Sequence, residues 1–140
     1  MGLFDFMKVC LFSEMKGVVT QDGKPVAGAE IVRTAEFNDK TFSDKTITNE
    51  HGEFRFGELS TNSINKMFVV IEAVIAQKFV IRFDNKDYIG WQTVKRDYDS
   101  NTELGGNKNI DLACELTSEK TKKEKNLRVP IVGICTWKNN

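Results

Sequence analysis

Histidine is nearly absent: His51 stands alone in 140 residues. A serine–histidine triad needs its histidine beside a nucleophile and an acid, and a zinc centre usually takes several histidines or cysteines. His51 sits in the polar stretch Asn49-Glu50-His51-Gly52, where a surface turn is expected. Cysteine is scarce too. Cys10, Cys114 and Cys135 make an odd count with no Cys-x-x-Cys spacing, so no metal clip is expected. All three thiols are expected to be unpaired; a Cys114–Cys135 bridge is the alternative, and nothing in the sequence supports it. Net charge is also missing. Twenty basic side chains balance twenty acidic ones, which argues against a general nucleic-acid or anionic-membrane binder.

No run is long and apolar enough for a membrane helix. The longest, Met67 to Phe83, is broken by Glu72, Gln77, Lys78 and Arg82. The first residues carry Asp5 where a signal peptide would be apolar and have no cationic start. Gly2 is followed by Phe6 where a myristoylation signal takes Ser or Thr. The chain is expected to be cytoplasmic when made, with a signal-less export route open. A phosphate-binding glycine loop is absent as well. Neither enzyme activity nor any cofactor is expected.

What is present is a chain of turns and short alternating runs, with ten phenylalanines and only two prolines. Asp22-Gly23 lies between Val18-Val19 and Pro25-Val26, a strong hairpin signal because glycine takes positive φ without steric cost. Strands are expected near 15–21, 26–34, 41–48 and 53–57. Gly28 within the second of these points to a bulge or a close backbone approach. Phe54 and Phe56 alternate onto one face, which places Phe54 in an inter-sheet core.

The motif Gly17-x-Val19, Asp22-x-x-Pro25-Val26-x-Gly28-Ala29-x-Ile31, then Thr46-x-Thr48-Asn49-x-x-Gly52-x-Phe54, resembles the carboxypeptidase regulatory-like domains, small β-sandwiches similar to transthyretin. The likeness covers roughly Lys16 to Phe56. Asn49 stands where aspartate is common, and the spacer Thr34 to Lys45 is longer than expected. The resemblance implies an all-β, transthyretin-like (Ig-like) sandwich of about seven to nine strands, with room for one short helix. It implies little about function, since such modules serve many roles. Enzymes with related folds need histidines this chain lacks: the hydroxyisourate hydrolase several, the intradiol dioxygenases two histidines and two tyrosines for iron.

Beyond the motif, residues 1–140 read as one domain. Residues 1–13 form an apolar lead segment, either helix or strand. Leu3, Phe4, Phe6 and Phe12 are its candidate interface residues, because an apolar patch left in water marks a contact surface. Glu58 to Lys66 reads as a polar loop. Met67 to Ile75 reads as a strand, with a helix as the alternative. Lys78 to Phe83 and Tyr88 to Val94 read as a hairpin, with Phe79, Ile81 and Phe83 inward. Arg96 to Lys108 reads as a loop. Asn109 to Leu116 reads as a strand with Ile110, Leu112, Cys114 and Leu116 on one face. Residues 117–128 form a charged loop, and Val129 to Trp137 a closing strand that begins after Pro130 or lies at an edge.

Two functions from different classes fit. One is a non-catalytic protein-interaction or accessory module with a protein partner or a second copy of itself. The resemblance allows an adaptor or immunity-like role, since transthyretin-like modules accompany bacterial type VI secretion components. The other is a carbohydrate- or cell-surface-binding module, in which Tyr88, Trp91, Tyr98 and Trp137 would stack on sugar faces.

Overall fold

The computed structural model describes residues 8–63, 72–124 and 127–138. Among these residues thirteen strands form and no helix. The chain enters through β1 (Lys8–Phe12) and β2 (Met15–Gln21), turns into the two-residue β3 (Lys24–Pro25), then makes the long hairpin β4 (Glu30–Phe37) and β5 (Lys40–Ile47). β6 (Glu53–Phe56), β7 (Leu59–Asn62), β8 (Ile75–Phe83) and β9 (Lys86–Lys95) come next. The chain closes with β10 (Ile110–Glu115), β11 (Thr121–Lys123), β12 (Ile131–Gly133) and β13 (Cys135–Thr136).

Two sheets enclose the main core. One runs β11-β12-β9-β8-β4-β5 and the other β13-β10-β2, with β3 and β6 sharing the far side of β2. β10 lies parallel to β2 from Ile110↔Met15 to Glu115↔Thr20. The alternating side chains interdigitate between the sheets, as sandwich cores require. Met15, Val19, Phe54, Phe56, Ile110 and Leu112 come from one side, and Ile31, Phe79, Ile81 and Trp91 from the other. The long sheet overhangs the short one. Its overhang is covered by a β1–β7 ribbon, which buries Val9 and Leu11 against Ala35, Phe37 and Ile75.

The motif residues act as their chemistry dictates. Asp22 and Gly23 hold φ of 52° and 78°, the tight turn of an Asp-Gly hairpin. Asn49 accepts at Oδ1 from the backbone N–H groups of His51 and Glu53. Gly52 has φ of 74°, and a Cβ there would lie 2.5 Å from the Val19 carbonyl oxygen; only glycine lets the corner pack on β2.

Glu115 clamps the first turn from β10. Its carboxylate accepts from the backbone of Asp22, Gly23 and Thr117 and from the hydroxyls of Thr20 and Thr117. Hydrogen bonds from Thr117 and Gly23, which favour the charged form, hold its pKa down to about 2 from 4.5. The folded state therefore gains most above the unfolded pKa, and that gain is lost as pH falls through about 2. Glu115→Gln is expected to flatten the acid dependence of the melting temperature between pH 4.5 and 2. A variant as acid-sensitive as the parent would show that the clamp contributes nothing.

Several expectations change. The strand count exceeds nine because short polar strands escape a periodicity test. The expected loop from Glu58 contains β7, which pairs with β1, and the charged loop at 117–128 contains β11, which pairs with β12. The expected strand at 26–34 starts only at Glu30, after a bend at Gly28 (φ 78°). Most of the expected strand at Met67–Ile75 lies outside the described residues; Glu72 to Val74 are not in a strand and Ile75 opens β8. The closing strand after Pro130 is two strands in different sheets: β12 pairs with β9, and β13 with β10.

That crossover places Cys135 opposite Cys114 in the β10–β13 register, with Cα atoms 4.1 Å apart, and the two form a disulfide. The expectation of three unpaired thiols is thus wrong. The neighbour relation of β10 and β13 is a property of sheet order, which cysteine counting does not sense. Cys10 remains free and buried. Titration of the denatured, unreduced protein should find one thiol, and three after reduction; three without reduction would exclude the bridge.

Candidate interaction surfaces

The outer side of β5 is the first candidate. β5 ends the long sheet, and no described strand pairs with its far edge. Asn38 and Asp39, at φ of 51° and 62°, form the two-residue turn into it, so Phe37 and Lys40 close the hairpin as a mutually hydrogen-bonded pair. The ladder alternates from there. Phe42, Asp44 and Thr46 bond to β4, consistent with the Thr48 N–H donating to the Ala29 carbonyl at 2.9 Å farther along. Thr41, Ser43, Lys45 and Ile47 therefore direct their N–H and C=O groups outward. The register runs unbroken from Phe37↔Lys40 to Glu30↔Ile47, with no bulge or proline. Ile47 is 62% exposed, one of two large apolar side chains so displayed among the described residues.

A buried cation fixes β5 to the core. Arg33 on β4 is fully buried and bonds Asp44 through Nε at 3.0 Å and Nη2 at 2.8 Å. Its Nη1 donates to the Ser13 carbonyl at 2.9 Å and Nη2 to that of Gly57. Its guanidinium carbon lies 4.8 Å from the Phe12 ring centroid and 4.4 Å from that of Phe56, within cation–π range. Deeper in, Trp91 Nε1 donates to Gln77 Oε1, while Gln77 Nε2 donates to the Leu11 carbonyl and to Glu103. Ser13 donates through N and Oγ to Glu103, which ties the long 96–108 loop down. Among the described residues no buried side-chain nitrogen or oxygen lacks a partner.

The second candidate is a groove of about 730 Å³ beside the C-terminal strand, lined by Val18, Leu104, Leu112, Lys108, Asp111 and Trp137 among others. Trp137 is half-buried, with its ring centroid 5.9 Å from that of Trp91.

The aromatic candidates separate accordingly. Trp91 is fully buried and stacks on Phe79, with its Nε1 spent on Gln77; it is core, and no face of its ring is open to a sugar. Tyr88 is half-buried against the main core. Tyr98 is half-buried edge-on to Phe37 at the other cluster. Trp137 alone lines a sizeable groove. Of the apolar lead segment, Leu3, Phe4 and Phe6 lie outside the described residues. Phe12 is fully buried and belongs to the core under Arg33, so it is no interface residue.

His51 is exposed, with Nε2 3.5 Å from Glu50. Among the described residues no three His, Cys, Asp or Glu side chains converge as metal donors, and no helix is long and apolar enough to cross a membrane.

No curated protein matches the chain. A family described as a domain of unknown function, DUF6795, matches residues 15–119. That span runs from the start of β2 past the end of β10 and includes the turn motif, the β4–β5 hairpin and both halves of the core. Three quarters of the sequence lie within it, and the chain belongs to the DUF6795 family.

Proposed function

We propose that the chain is a non-catalytic interaction module of the transthyretin-like, carboxypeptidase regulatory-like kind, and that it binds by accepting an extended strand on the outer edge of β5. The observation that carries this is the eight-residue strand whose outward backbone groups no described strand uses. Unpaired edges template further pairing, and proteins that do not use them blunt them with prolines, bulges, cover or charges such as lysine; β5 carries Lys40 and Lys45 but no proline or bulge. The resemblance, rather than any single residue, supports a bacterial secretion-associated setting. The Cys114–Cys135 bridge supports an oxidising place of work.

Ser43→Pro tests the edge cleanly. Ser43 points its N–H outward, so proline there removes an outward donor and spares the β4 ladder. Partners recovered by the parent from host extract should be lost with this variant while its melting temperature stays close to the parent's. Recovery of the same partners by both would overturn the proposal.

The Trp137 groove favours carbohydrate or cell-surface binding as the second reading, since a half-exposed indole beside Lys108 and Asp111 offers a stacking face with polar neighbours. Glycan-array binding abolished by Trp137→Ala would select it.

A further inference from the structure

We infer that the strand β5 accepts is β5 of a second copy, paired antiparallel about a two-fold axis through Phe42, so that two six-stranded sheets become one. The inference rests on the edge reading above and goes further by naming the occupant and the register.

Geometry limits the registers first. In an antiparallel pair, residues opposite each other either both point at the partner or both point away. Thr41, Ser43, Lys45 and Ile47 point outward, so outward residues of one copy must face outward residues of the other. Only registers centred on a residue satisfy this; those centred between residues oppose an outward group to an inward one.

Charge then chooses among them. Centring on Phe42 sets Lys40 against Asp44 twice, with Thr41 against Ser43 and Phe42 against Phe42, and carries Lys45 past the strand end to the partner copy's turn, where Asp39 lies. Centring on Asp44 sets that carboxylate against itself, and centring on Lys45 or Lys40 does the same with an ammonium. Centring on Thr41, Ser43, Thr46 or Ile47 forms no opposite-charge pair. Opposite charges across strands stabilise and like charges directly opposite destabilise. The Asp44 side chain is 34% exposed beside Arg33, so Lys40 of a second copy can reach it. Lys40 and Lys45, which would hinder an uncharged strand, meet acidic partners in this one. A two-fold contact of this kind closes on itself and gives a dimer rather than a fibre.

Sedimentation velocity across micromolar concentrations, with a cysteine series on β5, decides it. The parent is expected to dimerise and Ser43→Pro to stay monomeric. Lys40→Glu, which opposes two acidic pairs, should raise the dimer dissociation constant about tenfold. Under mild oxidation Phe42→Cys should form a disulfide-linked dimer faster than Thr41→Cys or Ser43→Cys. If Phe42→Cys fails to fold, a mixture of Thr41→Cys and Ser43→Cys chains should cross-link faster than either variant alone, because Thr41 of one copy faces Ser43 of the other. A parent monomeric throughout the range overturns self-pairing, as does a dimer that survives Ser43→Pro or cross-links fastest at Ser43. A monomeric parent whose partner capture is still lost with Ser43→Pro overturns self-pairing while leaving the edge reading intact. A monomeric parent whose capture is unchanged by Ser43→Pro overturns both.

Discussion

Phe54→Ala is expected to destabilise the fold by about 3–5 kcal/mol, the usual cost of emptying a buried phenylalanine site. Phe54 leaves the Gly52 corner on β6 and points between the sheets, 4% exposed. Its ring meets Phe56 and Phe79 edge-on, each at 6.3 Å between centroids. It also covers Gly17, where a Cβ would come within 2.6 Å of the ring. The site therefore has backbone on one side and rings on the others, and neither can collapse into the space left. A urea melt reads the effect directly. A midpoint unchanged from the parent would mean that β6 does not pack its phenylalanines inward.

Asp44→Ala is expected to cost about 3 kcal/mol, the lower end of what breaking a buried ion pair costs. The deletion leaves the Arg33 guanidinium wholly buried without its carboxylate. The Ser13 and Gly57 carbonyls and two aromatic faces still receive it, and Asp44 itself is one third exposed, so water offsets part of the loss. The double variant Arg33→Met/Asp44→Ala should be less destabilised than Asp44→Ala alone, because no charge is then left in the core. A double variant worse than the single one would show that Arg33 is held by its carbonyls and rings rather than by Asp44.

The parts of the fold that local chemistry dictates were open to sequence reasoning. Asp22-Gly23 and Asn49–Gly52 form the expected turns. Period two at Ile110, Leu112, Cys114 and Leu116 translates into four buried side chains. The long spacer Thr34–Lys45 becomes the tip of the β4–β5 hairpin, because Asn38 and Asp39 tolerate the positive φ of its turn. What stayed hidden depends on which strands become neighbours. β7 and β11 have too few apolar residues to show alternation, and they exist because β1 and β12 lie beside them. The disulfide needs the chain to change sheets between β12 and β13. Gly90 is a further case: it is the extra residue between Phe79↔Trp91 and Val80↔Ile89, and the Phe79 ring occupies the space a side chain would take.

The candidate surfaces divide the same way. Aromatic residue type singled out Tyr88, Trp91, Tyr98 and Trp137, but type does not carry depth, and Trp91 is in the core. The outer edge of β5, which no described strand pairs, is a consequence of sheet order alone. Its sequence, alternating Thr, Ser and Lys with Phe and Asp, reads as any half-exposed strand.

Residue-resolved hydrogen exchange along β5 tests the central claim most directly, since each amide of the strand has a defined direction. In the dilute chain Phe42, Asp44 and Thr46 should be protected by β4, while Thr41, Ser43 and Lys45 exchange fast. Raising the concentration should protect Thr41 and Ser43, a captured partner strand should protect the whole second set, and either should leave the first unchanged. Protection of Thr41, Ser43 and Lys45 at every dilution would mean that the edge is already covered within one chain. Fast exchange there under all conditions would mean that nothing binds it, and either result would contradict strand addition at β5.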